Sequence, residues 1–223
     1  MFDKIFDMRK RKMVDWVQRT ARFSAACQLV CGLISLLGFT RAQPYGMLFV
    51  MLLLDTVVQA VEFTFYVILI RKGRLRTYYR YIDWFVTTPT MLVSVMMYLA
   101  FLADKTVTVE SFASTRAGPI VSVIFLDVLM LVCGLLAELQ RIPCVSAVAW
   151  GFVPFVGMHG IMYTALPLTP LGVAILTFQF VVWGVYGVAA LFEYDTKNIM
   201  YNLLDLVSKN FYGLIVTITT FAE

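Results

Sequence analysis

The sequence predicts an all-α membrane protein, a bundle of seven transmembrane helices, from three observations. First, 61% of its 223 residues are hydrophobic and only 14% are charged, whereas a soluble domain carries about 25% charged residues. Second, the apolar stretches are continuous and of helix length, unlike the alternating segments of a membrane β-barrel. Third, the chain has room for roughly seven spans of about 20 residues each. A water-soluble single domain is therefore excluded.

Residues 1–22 form a separate predicted segment at the N-terminus. Seven of them are Lys or Arg, with apolar residues interleaved, a pattern typical of an amphipathic helix at a membrane surface. The segment has no continuous apolar core, so it is not a cleavable signal peptide. Residues 23–223 are predicted to form a single transmembrane domain.

Turn-forming residues divide that domain into its spans. In chain order they are Arg41 to Pro44, Gly73, Asp104-Lys105, Gly118-Pro119, Pro143, Pro167 with Pro170, and Asp195 to Asn198. The spans predicted between them are 23–40, 45–70, 79–103, 119–138, 143–166, 170–192 and 198–222.

Ionisable side chains inside the spans are the strongest functional signal. They are Asp55, Glu62, Asp83, Asp127, Asp205 and Lys209. Each costs about 2.5–3.5 kcal/mol at the centre of a span, so such residues face the bundle interior and usually have a function. Lys209 lies too deep in the seventh span to reach water, and Asp205 lies one helical turn before it on the same face.

A structural ion pair would account for Lys209 and Asp205 alone. However, a buried pair often fails to offset its own desolvation, and five acids around one base exceed what structure needs. A buried lysine amine is also suited to forming a Schiff base with a carbonyl cofactor. The pattern therefore favours a functional site around Lys209.

Residues 80–89, with the sequence RYIDWFVTTP, resemble the third-helix signature of microbial rhodopsins, and Asp205 before Lys209 resembles their retinal attachment pattern. The resemblance extends over all seven spans. Its further elements are Phe63 to Tyr66, Asp127 with Met130 and Gly134, Trp150, and Trp183 with Tyr186. Gly187 stands where the sixth-helix WxxYP motif has proline. Residues 205–214, with Glu62 and Asn202, are most similar to rhodopsins of giant viruses of marine protists.

The resemblance implies that all-trans-retinal is attached covalently to Lys209 as a protonated Schiff base. Asp83 and Asp205 would be its counter-ions, and Arg80 and Thr87 would complete the counter-ion network. The retinal pocket that the resemblance implies consists of Tyr66, Trp84, Thr88, Met91, Met130, Gly134, Trp150, Trp183 and Tyr186. An apolar residue at the position of Met91 goes with green rather than blue absorption in this family.

For function, the resemblance implies a light-driven ion transporter rather than an enzyme. An acid at Asp83 implies a proton acceptor, which favours an outward proton pump. Ser94 stands where efficient pumps usually have a carboxylate, so we expect slow reprotonation. Our hypothesis is that Asp55 and Ser94 together replace that donor; the alternative is that Asp55 only hydrogen-bonds a neighbouring span.

Two other functions stay open. A light-gated cation channel is the second candidate, because Glu62 adds another acid to the span of Asp55, and these acids with Asn202 and Asn210 could form a hydrated ion path. A photosensor that signals through a partner, docked on the basic N-terminal segment, is the third. Glu193 and Asp195 are predicted as a proton-release pair, although acids in loops are usually only solvated.

The positive charges give conflicting indications of membrane orientation. Most of the 18 Lys and Arg residues lie on the side that carries the N-terminus, which predicts a cytoplasmic N-terminus by the positive-inside rule. The resemblance implies an extracellular N-terminus. We favour the latter because Arg80, one of these charges, has a functional role.

We expect retinal and the lipid bilayer as partners, in an integral multi-pass protein of a host cell membrane. The net charge of +4 suits contact with anionic lipid, and no segment resembles a nucleic-acid-binding module. No metal site is predicted, because the four cysteines and the single histidine lack metal-ligand spacing. A homotrimer or a homopentamer is left open.

Overall fold

The computed structural model describes the backbone of residues 2–223 and the side chains of residue 13 and residues 15–223. Every regular element in that range is helical, so the predicted all-α class is confirmed. The elements are α1 (Phe2–Gly38), α2 (Met47–Lys72), a 3₁₀ turn (Thr77–Tyr79), α3 (Arg80–Ala103), α4 (Val109–Glu138), α5 (Cys144–Ala165), α6 (Pro170–Ala189), α7 (Tyr194–Asp205), a π-helical turn (Leu206–Asn210) and α8 (Phe211–Ala222).

Six helices of the described chain are long and apolar enough to cross a membrane, as judged by length and composition. They belong to α1 through α6, which makes the chain an integral multi-pass membrane protein. The seventh predicted span corresponds to α7, the π-helical turn and α8 together. The turn is defined by the N–H of Phe211, which donates to the carbonyl of Leu206 five residues earlier.

Two boundaries differ from the sequence prediction. α1 continues without a break from the basic N-terminal segment into the first span. α4 begins at Val109, ten residues before the predicted start, because the Thr108 side chain caps it by accepting a hydrogen bond from the Ser111 N–H at 3.2 Å. Pro119, predicted as a turn residue, lies inside α4; a proline within a span is tolerated where neighbouring groups satisfy the freed backbone.

The helices are buried to different degrees. α3 lies at the centre of the bundle, because 67% of the residues in its most apolar stretch are buried, against 17% for α4. α1 packs along α2, α7 and α8, and α4 packs mainly on α5. The side chains of α3 therefore meet the interior faces of several other helices.

The bundle has two sides relative to the membrane. The Arg80 side is the one where α1 begins, α2 ends and α3 begins. The Ser94 side is the opposite one, where α1 ends and α2 begins. Lys209, in the π-helical turn, lies between them.

Candidate functional site

Lys209 lies among three buried carboxylates. Its Nζ is 3.1 Å from Glu62 Oε1, 3.3 Å from Asp83 Oδ2 and 3.5 Å from Asp205 Oδ1. α2, α3 and α7 each contribute one acid, and all four side chains are at most 4% exposed. A positive charge on the Lys209 nitrogen is therefore compensated from three directions, as a charge within a membrane requires.

Glu62 has a more central place than the sequence suggested. We expected it on a donor or ion path, and the structure places it directly against the Lys209 amine. Its other oxygen accepts a hydrogen bond from Gln28 Nε2 of α1. Gln28 was missed, although the spacing of four between Thr20, Ser24 and Gln28 marks a polar face on the apolar first span.

Asp205 is the most fully bonded of the three acids. Its Oδ2 accepts from the hydroxyl of Tyr66 at 2.6 Å and from Arg80 Nη1 at 3.2 Å, and its Oδ1 accepts from the hydroxyl of Tyr186 at 2.8 Å. Tyr66, predicted as a pocket residue, is thus a hydrogen-bond partner of Asp205. Asp83, by contrast, keeps a buried Oδ1 without a partner.

Arg80 is fixed by asparagines of α7. Its Nε donates to Asn198 Oδ1 at 3.1 Å, and its Nη2 donates to Asn202 Oδ1. Asn202 also donates to Thr20 Oγ1 at 2.9 Å and to the carbonyl of Val17 at 3.2 Å. Both polar atoms of the Asn202 side chain are therefore engaged, which makes this residue a clamp between Arg80 and α1. The predicted place of Asn202 on an ion path conflicts with this bonding.

The hydroxyl of Thr87 has a local role. It is buried and donates to the backbone carbonyl of Asp83 at 3.1 Å, within α3. One position further along, Thr88 donates to Asp127 Oδ2 of α4 at 2.7 Å. Thr87 therefore supports the helix that carries Asp83, and Thr88 joins α3 to α4.

A mainly apolar cavity, with about 900 Å³ of empty space including its opening, extends from Lys209 towards α4, α5 and α6. The predicted pocket residues in its lining are Trp84, Thr88, Met130, Gly134, Trp183 and Tyr186. A Cβ atom at Gly134 would overlap the hydroxyl of Tyr81, so a larger residue there would require that hydroxyl to move. The cavity suits a long apolar molecule with one end at the Lys209 amine.

Trp150 was wrongly assigned to this cavity. Its side chain is 69% exposed on the outer surface of α5, and the α5 residues that line the cavity include Ala147, Gly151 and Phe155. Because successive residues of an α-helix point about 100° apart, Gly151 faces the interior where Trp150 cannot. Met91 lies outside this cavity as well and lines a second one beside it.

Gly187, at the position of the proline in the sixth-helix motif, has a packing role. A Cβ atom there would lie 2.8 Å from Cε2 of Phe152, closer than real side chains approach. Gly187 and Phe152 both line the cavity. The glycine therefore makes room for an aromatic ring of α5.

The proposed donor pair on the Ser94 side is not formed. Ser94 Oγ is 2.9 Å from the hydroxyl of Tyr212 and not bonded to Asp55. Asp55 is buried against Gly213 of α8, where a Cβ atom would lie 2.6 Å from each of its carboxylate oxygens. Asp55 Oδ2 and both polar atoms of Asn210 have no partner.

The predicted release pair lies at the start of α7. Glu193 is exposed at the N-cap of α7. Asp195 Oδ1 lies 3.5 Å from Arg74 Nη2. The cation near Asp195 therefore comes from the connection between α2 and α3, and the role of the two acids stays a prediction.

Residues 22–222 match the family model described as bacteriorhodopsin-like protein. No curated protein sequence matches the chain. Among solved structures, the viral rhodopsin OLPVRII has a TM-score of 0.82 at 24% identity, covering 90% of this chain and 95% of that one. Thermophilic rhodopsin has a TM-score of 0.75 at 20% identity, covering 95% and 94%. The bromide-bound form of halorhodopsin from Halobacterium salinarum has a TM-score of 0.73 at 15% identity, covering 94% and 95%. At these identities the likeness establishes the fold.

Proposed function

The chain belongs to the bacteriorhodopsin-like protein family, and from this premise we propose that it is a light-driven ion transporter, specifically an outward proton pump. Membership of the family implies a retinal chromophore. The observation that carries the proposal is the Lys209 amine, held among three carboxylates at the end of a long apolar cavity. This arrangement suits retinal attached to Lys209 as a protonated Schiff base.

The lining of the cavity supports the proposal, because it is mainly apolar and rich in aromatic side chains. Trp84, Trp183 and Tyr186 would hold the polyene between aromatic rings. Retinal, when bound, supplies light absorption and a displacement of the positive charge at the Lys209 nitrogen. The residues around that nitrogen then decide where its proton goes.

The hydrogen bonds favour Asp83 as the proton acceptor. Asp205 already accepts three hydrogen bonds from Tyr66, Tyr186 and Arg80, and bonding to its charged form keeps it ionised. Asp83 lies 3.3 Å from the nitrogen and has an oxygen without a partner. Asp83 is therefore the acid with free capacity for the proton that leaves Lys209.

The test is a light-induced pH change in a suspension of cells that express the protein and are supplied with retinal. We expect acidification that a protonophore abolishes. Lys209→Ala should lose the visible absorption band, and Asp83→Asn should keep a band but lose the pH change. A wild-type protein with a stable visible band and no transport would contradict the pump and favour a photosensor.

A light-gated cation channel is the second candidate, and one observation favours it. On the Ser94 side, α2 and the π-helical turn carry buried polar atoms without hydrogen-bond partners, at Asp55, Gln59 and Asn210. Glu62 continues this series to Lys209. Such groups could hydrate into an ion path. A photocurrent that reverses near the cation equilibrium potential would establish the channel, whereas a pump current stays outward across physiological voltages.

The remaining functional expectations stay predictions. They are the location in a host cell membrane, the extracellular N-terminus and a homotrimer or homopentamer. Protease protection of an N-terminal tag in intact cells tests the orientation. An inverted chain with the same photochemistry would move protons inward.

A further inference from the structure

The buried ionisable groups around Lys209 do not balance in charge. Among the side chains that the structure describes there, two are cations, Lys209 and Arg80, and three are carboxyl groups, Glu62, Asp83 and Asp205. All five are at most 4% exposed. If every group is ionised, the site carries one negative charge in excess, and an uncompensated buried charge is costly. A proton bound to one of the three carboxyl groups removes that excess.

Asp205 is the least suited of the three to hold the proton. Its Oδ2 lies 3.2 Å from Arg80 Nη1, and its Oδ1 lies 3.5 Å from Lys209 Nζ. The hydroxyls of Tyr66 and Tyr186 also donate to it. Cations and donors at both oxygens favour the ionised form of a carboxyl group, so Asp205 keeps its charge.

A proton on Asp83 would have no acceptor. Asp83 Oδ2 lies 3.3 Å from the Lys209 amine, and Oδ1 has no hydrogen-bond partner in the described part of the chain. An O–H group at Oδ1 would therefore be a buried donor without an acceptor, which is unfavourable. As long as Lys209 keeps its positive charge, Asp83 is better ionised.

Glu62 is the one carboxyl group of the three with an acceptor in place. Its Oε1 is 3.1 Å from the Lys209 amine, and its Oε2 contacts the side-chain amide of Gln28. That amide fits equally well with its nitrogen and oxygen exchanged, and Gln28 Oε1 has no other partner. After the exchange, the O–H of a neutral Glu62 donates to the Gln28 oxygen while its carbonyl oxygen accepts from Lys209.

We propose that Glu62 is a proton-holding residue of the site, neutral in the dark, and that Gln28 of α1 positions it by accepting a hydrogen bond from its carboxyl O–H. Asp83 and Asp205 then balance the two cations. Gln28 suits both states of Glu62, because its amide accepts from the neutral carboxyl group and donates to the carboxylate.

The proton on Glu62 has a role after Asp83 has taken one from Lys209. The Glu62 carboxyl group lies 3.1 Å from the Lys209 nitrogen, so it can return a proton there and become a carboxylate that accepts from Gln28 Nε2. It would supply the proton-holding group that α3 lacks at Ser94. This role rests on the proposed transport function, whereas the neutral state of Glu62 in the dark does not.

The first test measures the carbonyl stretching band of protonated carboxyl groups in the infrared spectrum of the purified protein in the dark, with and without retinal. Glu62→Gln keeps the shape of the neutral side chain and should remove the band of one carboxyl group. Gln28→Leu should shift that band, because the carboxyl O–H loses its acceptor. Gln179→Leu is the matched control. Gln179 is a buried glutamine of α6 whose amide has no partner among the described residues, so its loss should leave the band unchanged.

The second test measures the visible absorption band of the retinal-bound protein. Removal of a negative charge beside a cationic nitrogen weakens the attraction that holds the positive charge there. Asp83→Asn should therefore shift the band to longer wavelength. Glu62→Gln replaces one neutral group by another, so its band should stay close to that of the wild type.

The proposal is overturned if Glu62→Gln removes no carboxyl band, or if it shifts the visible band as far as Asp83→Asn does. Gel filtration shows whether each variant is folded. If Glu62→Gln does not fold, an unshifted band in Gln28→Leu overturns the proposal instead. A wild type that binds no retinal would contradict the proposed transport function, and the infrared band of the retinal-free protein would still show whether Glu62 is neutral.

Discussion

The asparagines and glutamines buried on the two sides of the bundle differ in how completely they are paired. On the Arg80 side, Arg80 donates to one carboxylate and two asparagines, and Asn202 has every side-chain group engaged. On the Ser94 side, the amides of Gln59, Gln179 and Asn210 have no partners. The Arg80 side is therefore preorganised around one arrangement of charges, whereas hydrogen bonds do not fix these three amides of the Ser94 side.

The largest expected effect comes from breaking the ion pair of the Arg80 side. Arg80→Met removes one of the two cations beside Asp205 and the donor to Asn198 and Asn202, and we expect a loss of about 3–5 kcal/mol in the free energy of unfolding. Chemical denaturation of the protein in mixed micelles measures it. Arg74→Met is the control, because the partly exposed pair of Arg74 with Asp195 is worth about 0–1 kcal/mol. Equal losses in the two variants would contradict a preorganised Arg80 side.

A matched pair of asparagines compares the two sides directly. Asn202→Leu removes the acceptor of Arg80 Nη2 and the donor to Thr20 Oγ1, so we expect a loss of about 1–3 kcal/mol in the free energy of unfolding. Asn210→Leu removes an amide that has no partner, so stability should stay within about 1 kcal/mol or increase. The same denaturation assay measures both. A large loss in Asn210→Leu would mean that its amide is bonded, and the contrast between the sides would fail.

A steric test at Asp55, on the Ser94 side, should change the free energy of unfolding by less than the Arg80 variant does. Gly213→Ala places a Cβ atom 2.6 Å from both oxygens of Asp55, and we expect a loss of about 1–3 kcal/mol from overpacking. Gly160→Ala is the control, because nothing lies within 4 Å of a Cβ atom there, and it should gain up to about 1 kcal/mol from helix propensity. Thermal unfolding distinguishes them. If Gly213→Ala is tolerated equally well, Asp55 is free to move.

The smallest effect concerns an exposed acid in the loop after α3. The hydroxyl and the N–H of Thr106 both donate to Asp104 Oδ1, at 2.7 and 2.9 Å, and these bonds lower the pKa of Asp104 below its ordinary value. Their stabilisation is present above the ordinary pKa of aspartate and is lost as the pH falls through the lowered one. Thr106→Val should raise the pKa of Asp104, as measured by NMR titration of its carboxyl carbon. An unchanged pKa would show that the backbone bond alone sets it.

The charged residues of the site could be predicted from the sequence because their cost in a membrane is large. Lys209, Asp83 and Asp205 had to face the interior, and the structure brings all three together. Gln28 and Asn198 could not be predicted as site residues, because a neutral amide in or beside a span is less unusual than a charge. Both became visible only through their partners, Glu62 and Arg80.

Other predictions differ from the structure because they depend on how far each helix is rotated about its own axis. Trp150 was assigned to the pocket from the family resemblance, and a shift of one residue turns a side chain by about 100°. The interior position belongs to Gly151. Likewise, the contact of Phe152 with Gly187 depends on how α5 and α6 are rotated relative to each other. That rotation cannot be predicted from the sequence of either helix alone.

The π-helical turn at Leu206–Asn210 has a consequence for how the seventh span can change. Such turns carry one residue more than an α-helical turn and are frequent at functional sites. If the same residues instead continued as a regular α-helix, α8 would be rotated by about 100° relative to α7. Asp205 would keep its orientation while Tyr212 and Gly213 turned away from α3 and α2. The turn therefore works as a rotational offset, which sets the angle at which the two halves of the span meet their separate neighbours.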